Sequence, residues 1–163
     1  MASSTKLEDL SPFIKVYTER LLGTPHVPPS PDVYSKDTII SPNVSARLFL
    51  PKLSHHAQKL PVLVYYHGGG FCLESAFSSQ YHRYMNILSA KAGALVVSVE
   101  YRLAPEHHLP AAYHDSWHAL KWVCSHVHDK TISRKISGSP TTPISTGFFI
   151  GDSAGNITTT WGG

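Results

Sequence analysis

Cysteine is scarce in this chain: Cys72 and Cys124 are the only two in 163 residues. Two thiols cannot build the disulfide framework of a small secreted scaffold, so a reducing compartment is the simpler setting. Long apolar runs are missing as well. No stretch reaches the roughly 18 to 20 apolar residues a membrane-spanning helix needs, and Met1-Ala2-Ser3-Ser4-Thr5-Lys6 lacks the apolar core of a secretory signal. The sequence therefore predicts a soluble, cytoplasmic protein with no membrane partner. Charge of one sign is not concentrated either. Fourteen Lys and Arg against eleven Asp and Glu give a net charge of +3, and only Lys130, Arg134 and Lys135 lie close together. A nucleic-acid binder would gather its basic residues into a stripe, so that partner class is excluded. The last deficit is positional: after Ser153 the sequence contains no Asp, Glu or His.

What is present suffices for a core. A chain that is 42% hydrophobic and only 15% charged falls outside the disordered class, and its length fits one domain. Residues 1–34 hold a helical candidate, Pro12 to Leu22, followed by Pro25, Pro28, Pro29 and Pro31, which read as an extended connector. Two β-type runs follow, Asp37 to Ile40 and Val44 to Leu50. Between them, Ser41-Pro42-Asn43 supplies a hairpin turn and so an antiparallel edge. Residues 35–163 then form the main unit. Pro61 to Tyr66 and Ala94 to Val99 are continuous apolar runs, as in strands buried on both faces. Tyr81, Tyr84, Met85 and Leu88 fall at helical spacing, with Ser78 or Ser79 as cap and Gly93 as stop. A second helix starts near Pro110, with Trp117, Leu120 and Cys124 as its expected inner stripe. Residues 129–147 show no period; Phe148 to Ile150 form a third strand, and a helix begins at Ala154. Strand and helix in alternation predict an α/β fold, a mostly parallel sheet with helices on both faces.

Two glycine-bearing corners carry chemistry. Gly151-Asp152-Ser153-Ala154-Gly155 fits G-x-S-x-G, directly after a strand and before a helix. A serine on so sharp a turn projects above the sheet, where the helix dipole favours developing negative charge. Its glycines leave room for neighbouring backbone. The second corner, His67-Gly68-Gly69-Gly70, also follows a buried strand. Its amides can point into one cavity and, with the Ala154 N–H, hold the oxyanion of a tetrahedral intermediate. A phosphate cradle would need Lys and Ser or Thr after the glycines, and Phe71-Cys72 supplies neither. His67 itself reads as an orienting hydrogen-bonder.

The run from Leu60 to Val127 resembles the plant carboxylesterase branch of the hormone-sensitive-lipase-type α/β-hydrolases. The resemblance rests on His67 to Phe71, Val99 to Glu106, Leu109 to Tyr113, Asp115-Ser116-Trp117 and the elbow. It implies the N-terminal half of an α/β-hydrolase fold and a serine esterase acting on a small-molecule ester, without cofactor or metal. Ser153 would be the nucleophile, and Gly68, Gly69 and Ala154 the oxyanion donors. His67, Gly70, Gly151, Asp152 and Gly155 would support the motifs, while Arg102, Glu106, Asp115 and Trp117 would serve packing. Residues 1–34 would correspond to the cap-like region of relatives. The branch also includes 2-hydroxyisoflavanone dehydratases, often with Thr at the nucleophile position, and gibberellin receptors; Ser153 favours the esterase over a ligand-binding protein on the same scaffold.

The chain also departs from that pattern. In such hydrolases the triad acid and base follow the serine along the chain, and here they do not. Gly155 runs directly into Asn156-Ile157, one small residue short of the usual spacing, a turn of about 100° in the following helix. These departures predict a truncated or irregular product, inactive alone. They also predict an unpaired apolar edge at Phe148 to Ile150 and poor solubility of the isolated chain.

Overall fold

The computed structural model describes residues 30–54, 60–128 and 144–156. The helical candidate Pro12 to Leu22 lies outside them. Five strands form one sheet in the order β1-β2-β4-β3-β5. Strands β1 (Val33–Ser41) and β2 (Val44–Pro51) make the expected antiparallel edge hairpin, with β1 starting four residues earlier than its sequence pattern. Strand β2 pairs antiparallel with β4 (Leu95–Glu100). Strand β3 (Leu60–Tyr66) pairs parallel with both β4 and β5 (Ile144–Gly151). The last strand therefore reaches back into the stretch that carries no period in the sequence. There pairing with β3 overrides weak local preference.

Side chains alternate between the faces of this sheet, and among the described residues each face meets one helix. Val62, Val64, Tyr66, Val97 and Val99 share a cluster with Ala112, Ala119 and Val123 of helix α2 (Ala111–His128). Leu63, Tyr65 and Val96 pack with Tyr81 and Met85 of helix α1 (Ser79–Ala92). Helix α1 starts where the Ser78 hydroxyl accepts the Tyr81 N–H at 3.5 Å, and it ends at Gly93 with φ 58°.

Helix α2 corrects one expectation. Its inner stripe is Ala112, Ser116, Ala119 and Val123, whereas Trp117 and Cys124 are exposed and Leu120 is half-buried. Small residues let the helix lie close to the sheet, and the Tyr66 hydroxyl donates to the Ser116 carbonyl at 2.9 Å. Trp117 would hold the helix off; its ring faces solvent with Lys121 Nζ 6.0 Å from its centroid. Asp115 is buried as expected and takes two bonds of 2.8 Å from the Arg102 guanidinium. Glu106 braces nothing: it is exposed and makes no hydrogen bond among the described residues.

Candidate active site

The parallel strands β3 and β5 end side by side, so the corners that follow them share one rim. At the end of β5 the chain turns so sharply that Ser153 adopts φ 48°, a conformation an L side chain rarely takes. Helical backbone begins at Ala154. The Gly155 N–H closes the turn onto the Asp152 carbonyl at 2.8 Å. Both elbow glycines are sterically required. A Cβ at Gly151 would stand 2.3 Å from the Gly155 carbonyl carbon, and one at Gly155 would stand 2.0 Å from the Tyr66 carbonyl oxygen. Ser153 is exposed, and its hydroxyl has no hydrogen-bond partner among the described residues.

The loop after β3 folds back on itself. The Gly69 carbonyl accepts the Leu73 N–H at 2.9 Å and the Cys72 N–H at 3.2 Å. Gly69 and Gly70 have φ 110° and 63°, which glycine alone adopts readily. Their N–H groups, like that of Ala154, donate to no acceptor among the described residues. Gly68 differs. Its N–H donates to the Tyr81 hydroxyl at 3.1 Å.

His67 sits behind this loop, fully buried, with its Nδ1 donating to the Gly68 carbonyl at 2.8 Å. Its ring stacks on Tyr101 at 4.3 Å and 9°, and the Tyr101 hydroxyl donates to the His67 carbonyl. Burial pushes the His67 imidazole below its ordinary range, so the neutral ring is favoured. Its Nε2 has no hydrogen-bond partner among the described residues and lies 3.8 Å from Glu100 Oε2. Glu100 accepts the Ala76 N–H at 2.6 Å and the Ser75 hydroxyl at 3.0 Å, anchoring the loop into α1, while burial pushes its carboxyl upward. Sequence reasoning missed Glu100, Tyr65 and Tyr81 as parts of the site. The two tyrosines read simply as core, although a buried phenol needs a polar partner and that need was the available signal.

A sequence profile described as alpha/beta hydrolase fold matches residues 63–160, which include both corners. The chain belongs to this family. Among the plant alpha/beta hydrolases it is 56% identical over 144 residues to a 2-hydroxyisoflavanone dehydratase of Glycyrrhiza echinata, covering 77% of this chain and 44% of that relative. It is 51% identical over 125 residues to a protein of Tulipa gesneriana named tuliposide A-converting enzyme b1, amyloplastic, covering 72% and 33%. A solved Pyrobaculum calidifontis esterase superposes with a TM-score of 0.58 at 36% identity, over 80% of this chain and 38% of that one. The chain thus spans less than half the length of these curated relatives. As in other open α/β sheets, the rim of this alpha/beta hydrolase lies at the carboxyl ends of its parallel strands.

Proposed function

We propose that this alpha/beta hydrolase is a serine carboxylic ester hydrolase whose nucleophile is Ser153. The observation that carries the reading is the left-handed backbone of Ser153 on a strand-to-helix turn, packed against a loop whose Gly69 and Gly70 amides have no acceptor among the described residues. Ser153 Oγ attacks the ester carbonyl and passes its proton to a histidine. The C–O bond to the alcohol then breaks, and water releases the acid from the acyl-serine. The Gly69, Gly70 and Ala154 amides hold the oxyanion; Gly70 replaces Gly68, whose N–H is committed to Tyr81. No imidazole or carboxylate is hydrogen-bonded to Ser153 among the described residues, and no Asp, Glu or His follows it in the sequence. Hydrolysis by the 163-residue chain alone is therefore near background. The remaining assignments of this reading are residues 1–34 as a cap-like segment and the cytoplasm as compartment, with the tulip relative's name pointing to a plastid as the rival.

The test is hydrolysis of p-nitrophenyl acetate by the 163-residue chain and by the product of the complete reading frame that contains it. The product of that frame should show an acyl burst that Ser153→Ala abolishes. Burst kinetics untouched by Ser153→Ala would refute the nucleophile. The second reading is a non-catalytic small-ligand binding protein, favoured by the Ser153 hydroxyl, which has no partner among the described residues. Saturable ester binding by that product with no turnover would establish it.

A further inference from the structure

One phenol stands between the two corners. The Tyr81 hydroxyl accepts the Gly68 N–H at 3.1 Å and donates to Asp152 Oδ2 at 2.9 Å, while Tyr65 donates to Asp152 Oδ1 at 2.8 Å. Both carboxylate oxygens of the residue before Ser153 are thus held, one of them by the group that holds the first peptide of the glycine loop. Tyr81 is 6% exposed and Tyr65 2%. Burial, with the Asp152 charge second, raises both phenols far above their ordinary range and keeps them protonated donors. The fit has no slack, since a Cβ on Gly68 would lie 2.9 Å from Asp152 Oδ2.

We propose that Tyr81 and Asp152 are positioning residues that set the distance and orientation of the Gly69 and Gly70 amides relative to Ser153. The proposal rests on the ester-hydrolase reading above. A buried N–H needs its acceptor, so the Gly68 peptide is pinned where Tyr81 holds it. The two glycines that follow carry no side chains to orient them, and they inherit their direction from that peptide and from the turn closed at the Gly69 carbonyl. Asp152 belongs to the elbow, so any shift of the serine corner is carried through Tyr81 to the donors. The charged end of the chain from Gly68 N–H through Tyr81 O–H to Asp152 strengthens each link. Misplacement of such groups by about 1 Å can cost about a hundredfold in rate. The effect falls on the transition state, because the oxyanion exists only there.

The experiment uses the product of the complete reading frame. Tyr81→Phe keeps the ring and deletes the hydroxyl. It should lower kcat for p-nitrophenyl acetate at least tenfold with KM within twofold, and speed amide exchange at Gly68 at least tenfold. Tyr34→Phe removes an exposed phenol on β1, outside this network, and should change neither. If Tyr81→Phe does not fold, Asp152→Asn decides: one tyrosine loses its carboxylate acceptor, and the same two readouts should move in the same direction. Unchanged kcat, or lost kcat with Gly68 still fully protected, overturns the positioning role. Absence of any Ser153-dependent turnover in the wild-type protein overturns the hydrolase reading itself, an outcome separable from the other two.

Discussion

Gly155 lies against the carbonyl oxygen of Tyr66, so close that a Cβ at residue 155 would stand 2.0 Å from it. This contact joins the elbow after β5 to the last residue of β3. It permits the serine corner and the glycine loop to share a rim. Gly155→Ala should therefore cost at least about 3 kcal/mol, the upper end of ordinary overpacking, because backbone must move. Gly93 is the comparison. It has φ 58° but no atom within 4 Å of its added Cβ, so Gly93→Ala should cost only about 1–2 kcal/mol of left-handed strain. Urea unfolding of the two variants checks the order, and equal losses would mean the elbow does not press on β3.

Arg102 and Asp115 form the ion pair that ties the loop after β4 to helix α2. Asp115 is 1% exposed and accepts Arg102 Nε and Nη2 at 2.8 Å each, with the Arg102 N–H at 3.0 Å. Arg102→Ala leaves a buried carboxylate without its cation and should destabilise by about 3 kcal/mol, the low end for a broken buried pair. The arginine side chain is 28% exposed, which lets water replace part of what is lost. Arg102→Lys keeps the charge but not the fork, and should recover less than half of that in denaturant titrations.

How far the sequence carried can be judged at single residues. Val62 to Tyr66 and Leu95 to Val99 were legible as buried strands because both faces of the sheet are covered, leaving an unbroken apolar run. Ser78 and Gly93 were legible because caps follow local rules. The inner face of α2 was not: Trp117 and Cys124 look like core, yet Ala112, Ala119 and Val123 are the residues small enough to meet the sheet. The two glycine corners were readable from their strand context. The direction of the Gly68 N–H was not, because its acceptor, Tyr81, is set by the packing of α1 on β3 rather than by any spacing.

Among the described residues β5 ends the sheet beside β3, and Phe148 and Phe149 are 52% and 47% exposed. An apolar strand edge with free backbone groups is a template for pairing with other chains. The 163-residue chain should therefore self-associate as its concentration rises, and Phe149→Lys should reduce the large species seen by light scattering. If Phe149→Lys leaves the size distribution unchanged, association proceeds through another surface.

His67 gives the fold a pH dependence of known sign. Its imidazole lies below the ordinary value of 6.5 because burial disfavours the cation, with the Gly68 carbonyl and the Asp152 charge opposing that shift only in part. The unfolded chain then binds more protons than the folded one below pH 6.5. Stability is complete above that pH and is lost as pH falls from 6.5 toward the folded value, with a slope of at most about 1.4 kcal/mol per pH unit. Glu100 acts in the opposite sense. Its carboxyl is raised above 4.5 by burial, so it withdraws stability as pH rises from 4.5 toward its folded value. Urea midpoints measured from pH 7.5 to 5.0 should fall for the wild-type chain. His67→Asn, which can keep a donor toward the Gly68 carbonyl and has no titrating group, should flatten that decline; Glu100→Gln should steepen it where the two windows overlap. A decline that survives His67→Asn intact would assign the acid sensitivity to another residue.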